Sequence, residues 1–182
     1  MVRKLKFHEQ KLLKKVDFIQ WKTDNPNEAQ VLRRYHIQKR EDYVKYSKIC
    51  GMITKIINLV ALLKPDDPFR QRIGQQLLDK LYDCGLVAHK LSLSQLEKVT
   101  VSALCRRRLS ATLVRLKMSG SLAEATRYIE QGHIRVGPET VRDPSFFIVR
   151  NMEDMVTWVD QSKIKRKIAV YNDKLDDYDL MQ

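Results

Sequence analysis

Eight basic side chains fall between positions 106 and 135: Arg106, Arg107, Arg108, Arg115, Lys117, Arg127, His133 and Arg135. An arginine fork pairs bidentately with phosphate oxygens, and it loses little entropy on binding when its backbone is already fixed. Arginines at this density suit recognition of a phosphate backbone. The alternative for any one of them is a solvated charge on a surface helix.

Other chemistries find little support. His8, His36, His89 and His133 have no metal-ligand spacing among themselves or to the cysteines, so no metal or other cofactor is assigned. Cys50, Cys84 and Cys105 are odd in number and far apart, which fits reduced thiols packed as small hydrophobes. There is no nucleophile–base pair and no phosphate-binding glycine loop. Glu153–Asp154 reads as a solvated turn, so the chain is not expected to be an enzyme.

The chain of 182 residues carries 34 Lys and Arg against 22 Asp and Glu, a formal net charge of +12. The excess is uneven: residues 1–60 hold 14 basic and 6 acidic side chains, and residues 105–160 hold 9 and 7. Counterion release draws such a surface to nucleic acid. No apolar run reaches the roughly 18–20 residues of a membrane span. The lysine-rich start lacks the apolar core of a signal peptide, so a soluble, intracellular protein is expected, with no membrane partner.

The basic cluster needs elements to hold it. A helix from about Val101 to Lys117 turns Leu109, Leu113 and Leu116 inward and sets Arg108 and Arg115 seven apart on one flank, with Arg106 and Lys117 on the other. Ser119-Gly120 is expected to break it. Ser121 and Glu124 then make a capping box for a second helix with Leu122, Ala125 and Ile129 inside and Arg127 outside. Gly132 ends that helix in a left-handed conformation. Ile134-Arg135-Val136 alternates like a strand, Gly137-Pro138 and Asp143-Pro144 turn, and Phe146–Val149 and Met155–Val159 complete a small antiparallel sheet around a loop at 151–154.

Upstream the pattern is helical. From Lys4 to Lys22, Leu5, Leu12, Val16 and Ile19 form one stripe, while Lys4, Lys11, Lys15 and Lys22 form another beside it; with Lys14 these lysines can meet phosphate. Asn25-Pro26 starts a short helix to about Tyr35, and residues 36–40 form a joint. Tyr43, Tyr46, Ile49, Ile53, Ile56, Val60 and Leu63 mark a long helix closed by Lys64-Pro65. Asp67-Pro68 opens another, bearing Ile73, Leu77, Leu78 and Leu81 and stopped by Gly85; Ser94 and Glu97 suggest a capped short turn. The acidic segment around Asp173, Asp176, Asp177 and Asp179 reads as a disordered tail, preceded by the short basic run Lys163–Lys167.

Arg108-Leu109, Leu116-Lys117, Leu122-Ala123-Glu124-Ala125, Ile129–Val136 and Asp143-Pro144-Ser145-Phe146 resemble the S-four RNA-binding domain of the small ribosomal subunit. Thr126 stands where that family often has arginine, with the charge moved to Arg127; Ser110 replaces the usual acidic residue, and Val136-Gly137-Pro138 the usual Val-Asn-Gly turn. The resemblance implies an α+β fold: a basic helical N-terminal region (1–100), an S-four, or alpha-L, module of two short helices on a small antiparallel sheet (101–160), and a basic then acidic tail (161–182). It implies recognition of structured RNA through the two helices.

The flanks MVRKLKFHEQKLLKKVDFIQWK, YHIQKREDYVKY and NMEDMVTWVDQSKIKRK extend the likeness to S-four-related proteins of the U-three small nucleolar ribonucleoprotein. That resemblance implies a nucleolar small-subunit processome component. Its implied partners are U-three small nucleolar RNA, pre-ribosomal RNA, a large acidic scaffold phosphoprotein of the M-phase phosphoprotein ten type, and a Brix-domain protein. The function it implies is to help the two RNAs pair. A structural small-subunit ribosomal protein of the S-four family is the alternative; its C-terminal extension would be Gly-rich and basic, unlike the aspartates here.

Overall fold

The computed structural model describes residues 3–15, 26–64, 66–90 and 93–173, without the side chains of 94, 95 and 98. The expected inward Val16 and Ile19, Lys22, the Asn25 cap, the Pro65 stop, the Ser94 cap and the tail from 174 lie outside that description.

Helix α1 (Phe7–Lys15) buries none of its residues, and Leu5, which precedes it, is exposed like Leu12. α2 (Pro26–Arg34) leads through His36, in the left-handed region at φ 49°, into the long α3 (Arg40–Ala61). α4 (Pro68–Asp83) starts where the Asp67 carboxylate accepts from Phe69 N at 2.9 Å, and it turns out through Gly85 at φ +75°. A 3₁₀ turn (Leu93–Lys98) and α5 (Val101–Cys105) complete this layer. α2, α4, α5 and the 3₁₀ turn all pack on α3. Ile53, Ile57, Leu78, Leu81, Val87 and Leu96 form one core, and Tyr35, Ile37 and Cys105 a second that joins the α2–α3 connection to α5. The long-helix stripe is narrower than expected: Ile53 and Val60 are buried with Ile57, whereas Ile49 and Ile56 face out, because no described element covers that side of the helix.

The module follows. α6 (Leu109–Arg115) and α7 (Leu122–Glu130) pack together over β1 (Ile134–Val136), which lies between β2 (Glu139–Thr140) and β3 (Val156–Trp158), antiparallel to both. Leu109, Leu113, Ala125, Ile129, Ile134, Ile148 and Val156 make its core. The Ser121 hydroxyl accepts from Glu124 N at 3.2 Å, and Glu124 reaches back to Gly120 N at 2.9 Å, an amide one residue earlier than in a standard capping box. Gly132 takes φ +75°, and His133 N donates to Tyr128 O at 3.0 Å, closing α7 as expected.

Five expectations change. The single helix 101–117 is two, α5 and α6, because the chain extends at Arg108 (φ −67°, ψ 145°) to pair with Phe147. Leu109 N donates to Phe146 O and Ile148 N to Arg107 O, both at 2.8 Å, so Phe146–Val149 bonds to the arginine triplet and not to the sheet. α6 closes at Lys117, left-handed at φ 58°, before Ser119-Gly120; Leu116 lies past the last helical turn and is exposed. Residues 151–154 belong to a 3₁₀ turn (Arg150–Met155), and the basic run opens a real helix, α8 (Lys163–Tyr171), whose first turn is capped by the Ser162 hydroxyl accepting from Ile164 N at 3.3 Å.

Candidate RNA interface

The arginine triplet splits into three different environments. Arg106 is exposed, whereas Arg107 and Arg108 are each only 4% exposed. Arg107 Nε donates to Ile148 O at 2.9 Å, its Nη1 pairs with Glu153, and its guanidinium lies against Gly85. Arg108 Nη1 reaches Asp42 at 3.2 Å and Tyr46 Oη at 3.1 Å on α3. A buried ion pair that loses one partner costs roughly 3–5 kcal/mol, so both side chains are held internally: Arg108 fastens the module to α3, whereas Arg107 bonds within the module and only packs against Gly85 of the helical layer, and neither is the phosphate ligand expected. Adjacent arginines in a sequence carry no sign of partners 46 and 66 positions away. Arg150, not singled out in the sequence, makes a second tie to the helical layer: it donates to Tyr82 O and Val87 O, both at 2.7 Å, and stacks 4.0 Å over the Tyr82 ring.

Glu153 serves two arginines, since Arg115 Nη2 also reaches it at 2.7 Å. Burial pushes its carboxyl upward, but the hydrogen bonds and charges of Arg107 and Arg115 outweigh that and hold it below the usual range. Arg115, half exposed, is thus already partly neutralised. Arg135 donates from Nε to Thr157 at 3.0 Å and pairs with Asp160 at 2.8 Å; Lys165 of α8 shares that carboxylate at 2.6 Å. Hydrogen bonding from Lys165, then the charge of Arg135, keeps Asp160 acidic. His133 Nδ1 meets the buried Ser162 hydroxyl at 3.0 Å, so it braces the start of α8.

Arg106, Lys117 and Arg127 remain: all are exposed, and none has an ion pair among the described residues. They sit before α6, just after it and on α7, on backbone fixed by the module core. Away from the module, Lys4, Lys11, Lys14 and Lys15 are likewise exposed, with no ion pair among the described residues. Lys163, Arg166 and Lys167 on α8 add exposed cations whose helical setting was signalled only by the Ser162 cap. Among the described residues no group of His, Cys, Asp or Glu could hold a metal ion, and no helix is long and apolar enough to cross a membrane. Cys105 is pushed up to about 11 by burial, the thiol of a packing residue.

Comparison with known proteins follows the same division. Residues 4–106 match the ribosomal protein S4/S9 N-terminal domain, and residues 107–154 match the S4 domain. The chain is 56% identical to the U3 small nucleolar ribonucleoprotein protein IMP3 of Saccharomyces cerevisiae, over 98% of this chain and 99% of that one. It belongs to the IMP3 family. The Homo sapiens member is 50% identical over 99% of both chains. The small ribosomal subunit protein uS4 of Picrophilus torridus is more distant, 27% identical over 78% of this chain and 79% of its own. The family's two domains meet between Arg106 and Arg107, at the exposed arginine and the first buried one.

Proposed function

We propose that this chain is an RNA-binding, non-enzymatic component of the U3 small nucleolar ribonucleoprotein in the nucleolus, where it promotes or stabilises pairing of U3 small nucleolar RNA with pre-ribosomal RNA. Its protein partners on this reading are an acidic scaffold phosphoprotein and a Brix-domain protein. The observation that carries the reading is the pair of unneutralised cationic surfaces, Arg106, Lys117 and Arg127 on the module and Lys4, Lys11, Lys14 and Lys15 at the N-terminal end, in a member of the IMP3 family. Two RNA strands repel each other, and a protein that screens a backbone at each surface lowers that repulsion. Rigid cations at a helix pair suit RNA read by shape and backbone. The ribosomal-protein alternative has weaker support, because likeness to uS4 is both lower in identity and shorter in extent than likeness to the U3 relatives.

Annealing of the two RNAs, followed by fluorescence at near-physiological salt, tests the reading. The full chain should accelerate or stabilise duplex formation. Combined Arg106→Glu, Lys117→Glu and Arg127→Glu should remove binding of one RNA, and combined Lys11→Glu, Lys14→Glu and Lys15→Glu binding of the other. No effect of the intact protein on annealing would refute the pairing role.

A further inference from the structure

The outer side of α3 carries a seam that no described part of the chain covers. Ile49, Met52, Ile56 and Leu59 recur at spacings of three, four and three, the period of one helix face, and all four are exposed, Met52 by 55% and Leu59 by 66%. The α3 side chains that pack inward are Ile53, Ile57 and Val60; Ile49 and Ile56 stand one turn before Ile53 and Val60, and the stripe continues outward to Met52 and Leu59, so the seam is the uncovered flank of the apolar face. It runs about 15 Å along the axis. Lys48 and Lys55, seven apart and exposed, border its outer edge, and Lys45 precedes it. None of the three lysines forms an ion pair with a described residue.

We propose that this seam docks an amphipathic helix of a partner protein, one that inserts apolar side chains at three- and four-residue spacing between Ile49 and Leu59 and sets carboxylates opposite Lys48 and Lys55. Charge complementarity selects the occupant. In a helix pair the positions bordering the apolar seam choose the partner, and lysines there choose Asp and Glu. A second copy of this chain, docked through the same seam, sets lysine against lysine. RNA gains nothing from four large apolar side chains, and the unpaired cations of the module and of the N-terminal end already offer it phosphate sites. The seam deepens the proposed function by giving the protein partner a surface separate from the RNA surfaces, yet its geometry is independent of the annealing activity.

The test uses the full chain within the assembly purified from cells, with a photo-crosslinking amino acid in place of Ile56. The expected product is a peptide of another protein, net acidic and with apolar residues at three- and four-residue spacing, and it should vanish when Met52→Asp and Leu59→Asp are added. A synthetic copy of that peptide should bind the purified chain, weaken at least about tenfold with Lys48→Glu and Lys55→Glu, and recover when its own carboxylates are exchanged for lysines. Crosslinks to RNA, to a second copy, to a basic peptide or to nothing would overturn the proposal, as would unchanged peptide affinity in the Met52→Asp, Leu59→Asp chain. That double variant should still anneal RNA, so loss of annealing in the intact protein and loss of the docked peptide report separate failures.

Discussion

Gly85→Ala puts a methyl group where the helical layer meets the guanidinium of Arg107. At φ +75° an L-residue carries backbone strain of about 1 kcal/mol. The added Cβ would stand 2.5 Å from Arg107 Cζ and 2.8 Å from its Nε and Nη1. A guanidinium is the end of a flexible side chain and usually yields cheaply. This one is 4% exposed, donates to Ile148 O and is paired with Glu153, so retreat breaks at least one bond of a buried charged donor, at about 1–3 kcal/mol. The expected loss is therefore about 2–4 kcal/mol, read as the fall in unfolding free energy in a urea titration followed by circular dichroism. Gly137→Ala supplies the control: its φ is +61° and nothing lies within 4 Å of the new Cβ, so only the strain of about 1 kcal/mol applies. Equal losses for the two variants would show that Arg107 is not pinned against the end of α4.

Four further outcomes follow from the charges and thiols. Glu153 ionises below its unfolded value of about 4.3, so its stabilising effect is complete above that value and is lost as pH falls through the lower folded one. Urea midpoints between pH 3 and 6 should rise more steeply for the native chain than for Glu153→Gln, and parallel curves would refute the pairing. Cys105, buried and with its thiol pushed up to about 11, should resist iodoacetamide at pH 8 until denaturant is added, as peptide mass mapping would report; equal labelling of native and unfolded protein would contradict its burial. The Arg106→Glu, Lys117→Glu, Arg127→Glu chain should show a salt dependence of RNA binding flattened by about 0.7–0.9 for each phosphate it no longer neutralises, whereas Arg108→Glu should destabilise the fold by about 3–5 kcal/mol through the unpaired Asp42.

What could be read in the sequence was what neighbouring residues decide. The Asp67 and Ser121 caps, the Gly85 and Gly132 stops and the apolar period of α7 are local signals, and each stands as expected. Arg107 and Arg108 were misread because a cation reads as surface charge until its partner is known, and the carboxylates of Glu153 and Asp42 are brought near only by tertiary structure. The same contact explains the missed break before α6: residues 106–108 have no helix-breaking side chain, and the bonds to Phe146 and Ile148 override propensity. Ile49 and Ile56 share the period of the buried Ile53 and Val60, so the sequence marks all four alike; only the placement of α2, α4 and α5 shows how much of that apolar surface is covered.

The ties made by Arg108 and Arg150 also bear on the order in which the molecule can be made. Asp42, Tyr46, Tyr82 and Val87 leave the ribosome well before the arginines that bind them, and the longest of these contacts spans 68 positions. Contacts so far apart in sequence close late, after the cost of a large loop has been met. The helical layer is therefore synthesised first but finished last, with Asp42, Tyr46 and the carbonyls of Tyr82 and Val87 unpaired with their arginines until Arg108 and Arg150 have emerged and folded against them. A nascent chain halted near residue 106, where one family domain ends and the next begins, presents a complete domain by sequence that is an incomplete one by physics.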